Sequence, residues 1–205
     1  MIPGPIIIIS CPHCGQYAKK RTLISFNTFS AQLWSDAKRI APMKPEFPSL
    51  VLCKKCDQFY WVKDAKKIAE VTNHSEQKDK WSAVEFIEFP TFHQYFKALE
   101  TIPDEKFIRI RIWQSFNDYF RKGKDKDITQ DMQDLNTENL YALIKLLDES
   151  DQNELLMKVE ILRNLGWFDE SKLLLDTISN VDLMQIKDKF LVEINKQNMQ
   201  VFQLF

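Results

Sequence analysis

The sequence predicts an α+β protein in two parts: a small β-rich module over residues 1–70 and an antiparallel α-helical array over residues 71–205. Three observations carry this reading. Short β-branched and aromatic runs with closely spaced prolines fill the first third. All four cysteines lie in that third, in two Cys-x-x-Cys pairs. In the remainder, apolar residues recur at three- and four-residue spacing behind repeated helix-capping signals.

Ile6–Ile9 is an apolar β-branched run that predicts a strand running into the first cysteine pair. Tyr17–Phe29 mixes Thr and Phe with polar residues and shows no helical period. The stretch Ser35-Asp36-Ala37-Lys38 sits between Gln32-Leu33-Trp34 and Arg39-Ile40-Ala41 and reads as a hairpin turn, with a short helix as the alternative. Pro42, Pro45 and Pro48 exclude regular helix and force extended chain toward the second cysteine pair. Phe59-Tyr60-Trp61-Val62 predicts the strand after it. Lys63–Lys80 is charged and polar, with Asn73–Gln77 its least structured part, and the domain boundary is placed there.

The helical part begins at Pro90-Thr91, where Thr91 and Gln94 have capping-box spacing. Pro103-Asp104 opens a second helix, in which Phe107, Ile108, Ile110, Ile112, Trp113, Phe116 and Phe120 spread over most faces. The charged run Arg121–Asp127 ends it. A third helix is expected from Asn136 or Thr137, carrying Leu140, Leu143 and Leu147. Asp151 with Glu154 starts a fourth, closed by Gly166 as a left-handed terminator. Asp169 and Asp182 start the fifth and sixth. Trp113 and Trp167 are expected in the core.

Cys11/Cys14 and Cys53/Cys56 account for every cysteine. Two such pairs with none left over suit a tetrahedral metal, each pair forming a knuckle whose thiolates converge at about 2.3 Å from zinc. Gly15 after Cys14 supplies the positive φ such a turn commonly needs, and Asp57 after Cys56 tolerates it. The site residues are therefore Cys11, Cys14, Cys53 and Cys56, the expected cofactor is structural zinc, and iron is chemically compatible with the same pair of knuckles. The flanking strands fit a zinc-ribbon-like module. The gap of 38 residues from Gly15 to Leu52 departs from the usual 15–20, so the hairpin and proline-rich return are an elaboration. Four sulfur ligands leave no open position, which makes the metal structural rather than catalytic. His13, inside the first knuckle, is in a poor position to compete and is expected outside the ligand set.

Cys11-Pro12-His13-Cys14 also resembles the active-site tetrapeptide of DsbA-type thiol oxidants, which implies a redox alternative using Cys11 and Cys14. That motif opens a helix in a thioredoxin fold. Here Gly15 and its sequel do not read as a first helical turn, and the second cysteine pair would go unexplained.

Residues 1–70 hold 11 Lys and Arg against 5 Asp and Glu, a formal +6, whereas residues 71–205 hold 17 against 24, a formal −7. A tetrathiolate zinc of net −2 lowers the first figure to +4, short of a dedicated nucleic-acid binder. Lys19-Lys20-Arg21 and Lys54-Lys55 beside aromatic residues keep single-stranded nucleic acid as an alternative partner. The histidines His13, His74 and His93 form no catalytic order with a nucleophile, and 4 Gly leave no phosphate loop. No catalytic residue is assigned, and no enzyme activity is expected. MIPGPIIII lacks a positive n-region and no apolar run reaches a membrane span, so a cytoplasmic protein is expected.

Leu155–Ile178, with Leu165-Gly166 followed by Trp167-Phe168 and with Ser171 on the second helix, resembles one tetratricopeptide-like hairpin. Further copies at its period are not found, so neighbouring helices must complete it. The stretch NTFSAQLWSDAKRIAPMKPEFPSLVLCKKCDQFYW resembles a group of uncharacterised bacterial proteins that join an N-terminal four-cysteine zinc-ribbon-like module to a tetratricopeptide-like helical part. The resemblance implies a cytoplasmic accessory protein with a protein or peptide partner for its helices. It brings no catalytic residues.

Overall fold

The structure, a computed structural model, describes residues 1–72 and 79–205. The stretch Asn73–Gln77, including His74, lies outside the described residues. The fold is mixed, with small antiparallel strands in the N-terminal part and six α-helices after them among the described residues. Two compact units form: Met1–Ala31 with Ile40–Ile102, and Gln32–Arg39 with Pro103–Phe205. The boundary expected at residue 70/71 falls inside the first unit.

The first unit contains β1 (Ile2–Pro3), β2 (Ile6–Ser10), β3 (Tyr17–Lys20) and β4 (Leu23–Ser25). After two short strands of the inter-knuckle hairpin, β5 (Gln32–Leu33) and β6 (Arg39–Ile40), it continues with β7 (Leu50–Leu52), β8 (Phe59–Trp61) and β9 (Lys66–Val71). Helix α1 (Phe92–Ala98) is capped by Thr91 and Gln94 in the reciprocal box read from the sequence.

The isoleucine run is the central strand of the antiparallel sheet β3-β2-β9. With strand partners on both edges, its side chains divide by the two-residue period. Ile6 and Ile8 pack with Ala69, Val71, Trp81 and Val84, while Ile7 and Ile9 pack with Cys11, Val51 and Tyr60. Burial on both faces explains why the strand is uninterrupted isoleucine rather than alternating. β9 lies within Lys63–Lys80, the charged stretch in which the domain boundary is expected. Its Lys66, Lys67 and Glu70 side chains reach solvent while the backbone pairs with β2, and a register shift between Ile8 and Ile9 leaves Ile68 exposed. Within the part expected to be helical, Glu85–Ile87 instead lies beside β3: Lys19 N–H donates to Glu85 C=O at 2.8 Å and Ile87 N–H to Lys19 C=O at 2.9 Å.

The second unit is built on α2 (Glu105–Arg121), α3 (Gln130–Leu143), α4 (Gln152–Asn164), α5 (Phe168–Asp176) and α6 (Met184–Asn195). α2 and α4 start at Asp104 and Asp151, whose carboxylates accept from backbone N–H groups of the first turn. α3 begins six residues before the expected Asn136, because Thr129 caps Met132 N–H and Met132 is buried. Asp182 lies in a 3-10 turn (Val181–Leu183) that leads into α6. Gly166, at φ +79°, ends the α4 turn as expected. Trp113 is fully buried, but Trp167 is 41 % exposed and leans on Tyr141 at 5.6 Å, so its expected core placement does not hold. The reason is local: Trp167 follows the Gly166 turn as the N-cap of α5.

The Ser35–Lys38 turn, read correctly as a hairpin, groups with the helices. Ala37 at φ +61° makes the turn, and Trp34 N–H donates to Lys38 C=O at 2.9 Å. Asp36 is fully buried: its carboxylate accepts from Arg121 at 2.7 Å and from Asn117 at 3.0 Å, and its carbonyl from Gln114 at 3.1 Å. Lys38 pairs with Asp118 at 2.7 Å. Ser35 donates to the buried Glu160 at 2.6 Å, and Glu160 takes a forked pair of bonds from Arg163 at 2.6 and 2.8 Å. Arg163 also donates to the carbonyls of Asn198 and Gln200, which ties down the last residues of the chain. There Ser35 N–H donates to Phe202 C=O at 2.9 Å and Leu204 N–H to Leu33 C=O at 2.7 Å.

Asp36→Ala removes one of the two carboxylates that hold the buried Arg121 guanidinium, Asp118 being the other, and its expected cost is about 1.5–3 kcal/mol. Urea unfolding followed by helical circular dichroism checks this; a midpoint within error of the parent would refute it. Burial by itself would raise the Asp118 carboxyl, but Lys38 and Arg121 beside it win and hold it below its ordinary 3.8. A depressed carboxyl contributes stability that is full above 3.8 and is lost as pH falls through its lower folded value. Stability measured on acidification is therefore expected to fall more steeply in the parent than in Asp118→Asn.

Candidate metal centre

Each cysteine pair sits at the tip of an antiparallel hairpin. β2 and β3 pair as far as Ser10 opposite Tyr17, and Cys11–Gln16 forms the turn. β7 and β8 pair as far as Leu52 opposite Phe59, and Cys53–Gln58 forms the other. The two turns close with the same bonds at the same offsets. Cys11 N–H donates to Gln16 C=O at 2.8 Å and Gly15 N–H to Cys11 C=O at 2.9 Å. Cys53 N–H donates to Gln58 C=O at 3.0 Å and Asp57 N–H to Cys53 C=O at 2.9 Å. Gly15 has φ +73° and Asp57 +55°, the left-handed positions the sequence assigned to them.

The knuckles bring the four sulfurs together. Cys11 Sγ lies 3.9 Å from Cys56 Sγ and Cys14 Sγ 3.7 Å from Cys53 Sγ, and all four lie within 4.8 Å of one another. A tetrahedron with metal–sulfur bonds of about 2.3 Å has edges of about 3.8 Å, so these separations fit one four-coordinate ion. Cys11 and Cys53 are buried against Ile9, Val51, Tyr60 and Val62, while Cys14 and Cys56 face outward in part. The four cysteines could therefore hold a metal ion. Among the described residues, no other group of three or more His, Cys, Asp or Glu brings its ligand atoms together in this way.

The electrostatics of the cluster are uneven. Burial raises the Cys56 thiol to about 12, helped by hydrogen bonds shared with Cys14 and Cys53, and burial also raises Cys11. Burial opposes ionisation of Cys53 too, but the backbone N–H groups of Cys56 and Lys55 outweigh it and bring that thiol down to about 7. The Tyr60 phenol beside them is pushed up to about 12, first by burial and then by the charge of the cysteines. Four thiolates this close together would repel one another, and a bound cation would offset that repulsion.

His13 is turned away from the sulfurs. Its Nε2 lies 3.1 Å from the Phe59 carbonyl. A carbonyl only accepts, so Nε2 carries the proton and the ring fastens the first knuckle to β8. The sequence placed His13 outside the ligand set but gave no signal for this bond, whose acceptor is backbone. His93 lies in the first turn of α1 with its ring 5.2 Å from Phe92, and it does not join the cysteine cluster. Lys54, one of the basic residues beside the knuckles, pairs with Glu85 at 2.8 Å and Glu88 at 3.4 Å.

The tetrapeptide Cys11–Cys14 lies in a turn between two antiparallel strands and opens no helix. No protein-family model, curated protein or solved structure matches the chain.

Asp57→Gly is expected to keep the site intact, whereas Asp57→Val forces a β-branched residue into the left-handed region at a cost of about 1–2 kcal/mol. That corresponds to roughly tenfold weaker metal retention, read as the midpoint of a chelator competition. An unchanged midpoint for Asp57→Val would show that φ at this position does not constrain the site.

Proposed function

We propose that Cys11, Cys14, Cys53 and Cys56 hold one structural zinc ion and that the chain is a non-enzymatic accessory protein whose helices receive a protein or peptide partner. The observation that carries the metal assignment is the spacing of the sulfurs, 3.7 and 3.9 Å between cysteines of different knuckles, at tetrahedral edge length. Zinc is favoured over iron by its preference for closed four-sulfur sites in folding roles. The cytoplasmic setting expected from the sequence would keep the thiols reduced and available to it. No helix among the described residues is long and apolar enough to cross a membrane.

The partner reading draws on the helical unit. α4 and α5 form a hairpin in which the small Ser171 is fully buried and donates to Val159 C=O at 2.9 Å, the close approach that a tetratricopeptide-like pair uses. Tyr141 and Trp167, each 41 % exposed and in ring contact, are aromatic anchors of the kind that binding surfaces use. The nucleic-acid alternative would rest on the N-terminal unit. It is disfavoured by the engagement of Lys54 with two glutamates and by the formal +4 that residues 1–70 keep once a tetrathiolate zinc is counted. The thiol-oxidant alternative lacks the helix that would lower the pKa of Cys11.

Native mass spectrometry of untagged protein is expected to give one zinc per chain. All four thiols should react only after chelation, and Cys53→Ser should lose both the metal and the cooperative melt of the N-terminal unit. Metal-free protein with a readily reduced Cys11–Cys14 disulfide would overturn the assignment. Loss of a recovered partner in a Tyr141→Ala, Trp167→Ala variant would support the helical surface, and unchanged recovery would exclude it.

A further inference from the structure

The N-terminal unit has a second concave feature that metal binding does not use: a pocket of about 560 Å³ beside the β1–β4 pair. That volume lies within the range of small-molecule sites. Pro3, Ile6, Leu23, Ile24, Phe47 and Phe86 supply apolar wall. The polar groups in the lining are largely spent on one another. The Thr22 hydroxyl donates to Pro5 C=O at 2.6 Å, and Gly4 N–H donates to Thr22 C=O at 2.8 Å.

Among the described residues, Arg21 is the one charged side chain in the lining. Its guanidinium lies 3.9 Å from the centroid of the Phe86 ring, and among the described residues it has no carboxylate partner. Stacking holds a guanidinium by its face and leaves the N–H groups at its edge available to an anion. An apolar cavity with a single held fork of donors is complementary to a molecule with an apolar body and one anionic end. The surroundings have the same sign, since residues 1–70 keep a formal +4 with a tetrathiolate zinc counted. Ile24 beside it is 70 % exposed, an apolar side chain that such a body would cover.

We propose that this pocket binds a single-chain amphiphile, with its apolar chain in the cavity and its carboxylate or phosphate monoester head on Arg21. The test uses the full chain with its metal in place and isothermal titration with decanoate, decyl phosphate and decyltrimethylammonium, each below its micelle concentration. Saturable binding of one anionic amphiphile per chain is expected, with no saturable binding of the cation. The tighter of the two anions identifies the head group. Arg21 and Ile24 are both exposed, so their variants leave the core untouched. Arg21→Gln should bind about tenfold more weakly, the loss of one charge-assisted pair, and Ile24→Glu should abolish binding of either anion. Binding of the cation as tight as that of the anions, equal affinity in Arg21→Gln, or no saturation by either anion would overturn the proposal. Zinc content measured on the same samples separates this result from failure of the metal assignment.

Discussion

Closure of the cysteine tetrad is the constraint on which the N-terminal unit depends. Its two halves come from hairpins separated by the 38 residues from Gly15 to Leu52. Bringing them together costs loop entropy, and placing four sulfurs within 4.8 Å of one another adds the cost of crowding their charge. Most of the unit's strands are two to four residues long, and the apolar burial that offsets those costs lies chiefly on β2, β7 and β8. A metal held by all four cysteines would make a single bonded centre of two hairpins that share no strand pairing. The buried Cys11 and Cys53 belong to the same apolar cluster as Ile9, Val51 and Tyr60.

The helical unit solves a different problem. It buries Asp36, Glu160 and Arg163 completely, and such groups are tolerated only when their bonding capacity is filled. Each is. Asp36 is met by Arg121 and Asn117, and Glu160 by Ser35, Arg163 and Asn164. Burial pushes the Glu160 carboxyl up, while the Arg163 guanidinium and the Ser35 hydroxyl oppose that shift. A polar network of this kind fixes geometry more than it adds stability. What it fixes is the place of the hairpin 32–39 and of the C-terminal residues on the helices. The long gap between the knuckles therefore has a structural use that a shorter loop could not serve.

The difference in exposure between two tryptophans shows how a periodic pattern is read too simply. Trp113 lies mid-helix between Ile112 and Phe116 positions that face inward, and its indole N–H reaches Asn164 at 2.9 Å. Trp167 has equally apolar neighbours in sequence, but it follows a left-handed glycine, where the helical period is broken. Its ring emerges beside Tyr141, a partner 26 positions earlier in the chain. No local pattern announces that pairing.

The sequence by itself determined what depends on near neighbours. The knuckle turns followed from Cys-x-x-Cys with Gly15 or Asp57 after it, the cap of α1 from Thr91 and Gln94, and the end of α4 from Gly166, because each is set within about one turn of chain. Candidate ligands were legible for the same reason, since two pairs with no cysteine left over admit few chemistries. Tertiary structure decided the rest. Lys66–Val71 lies in the charged stretch where the sequence places the domain boundary, and it becomes a strand because the free edge of β2 must be paired. Asp36 reads as an ordinary turn residue, and it is buried because Arg121, 85 positions later, supplies the opposite charge. His13 is expected outside the ligand set, but what holds it is a backbone carbonyl 46 positions away. In each case the deciding partner is a backbone group or a distant side chain, whose position follows from packing and not from spacing along the chain.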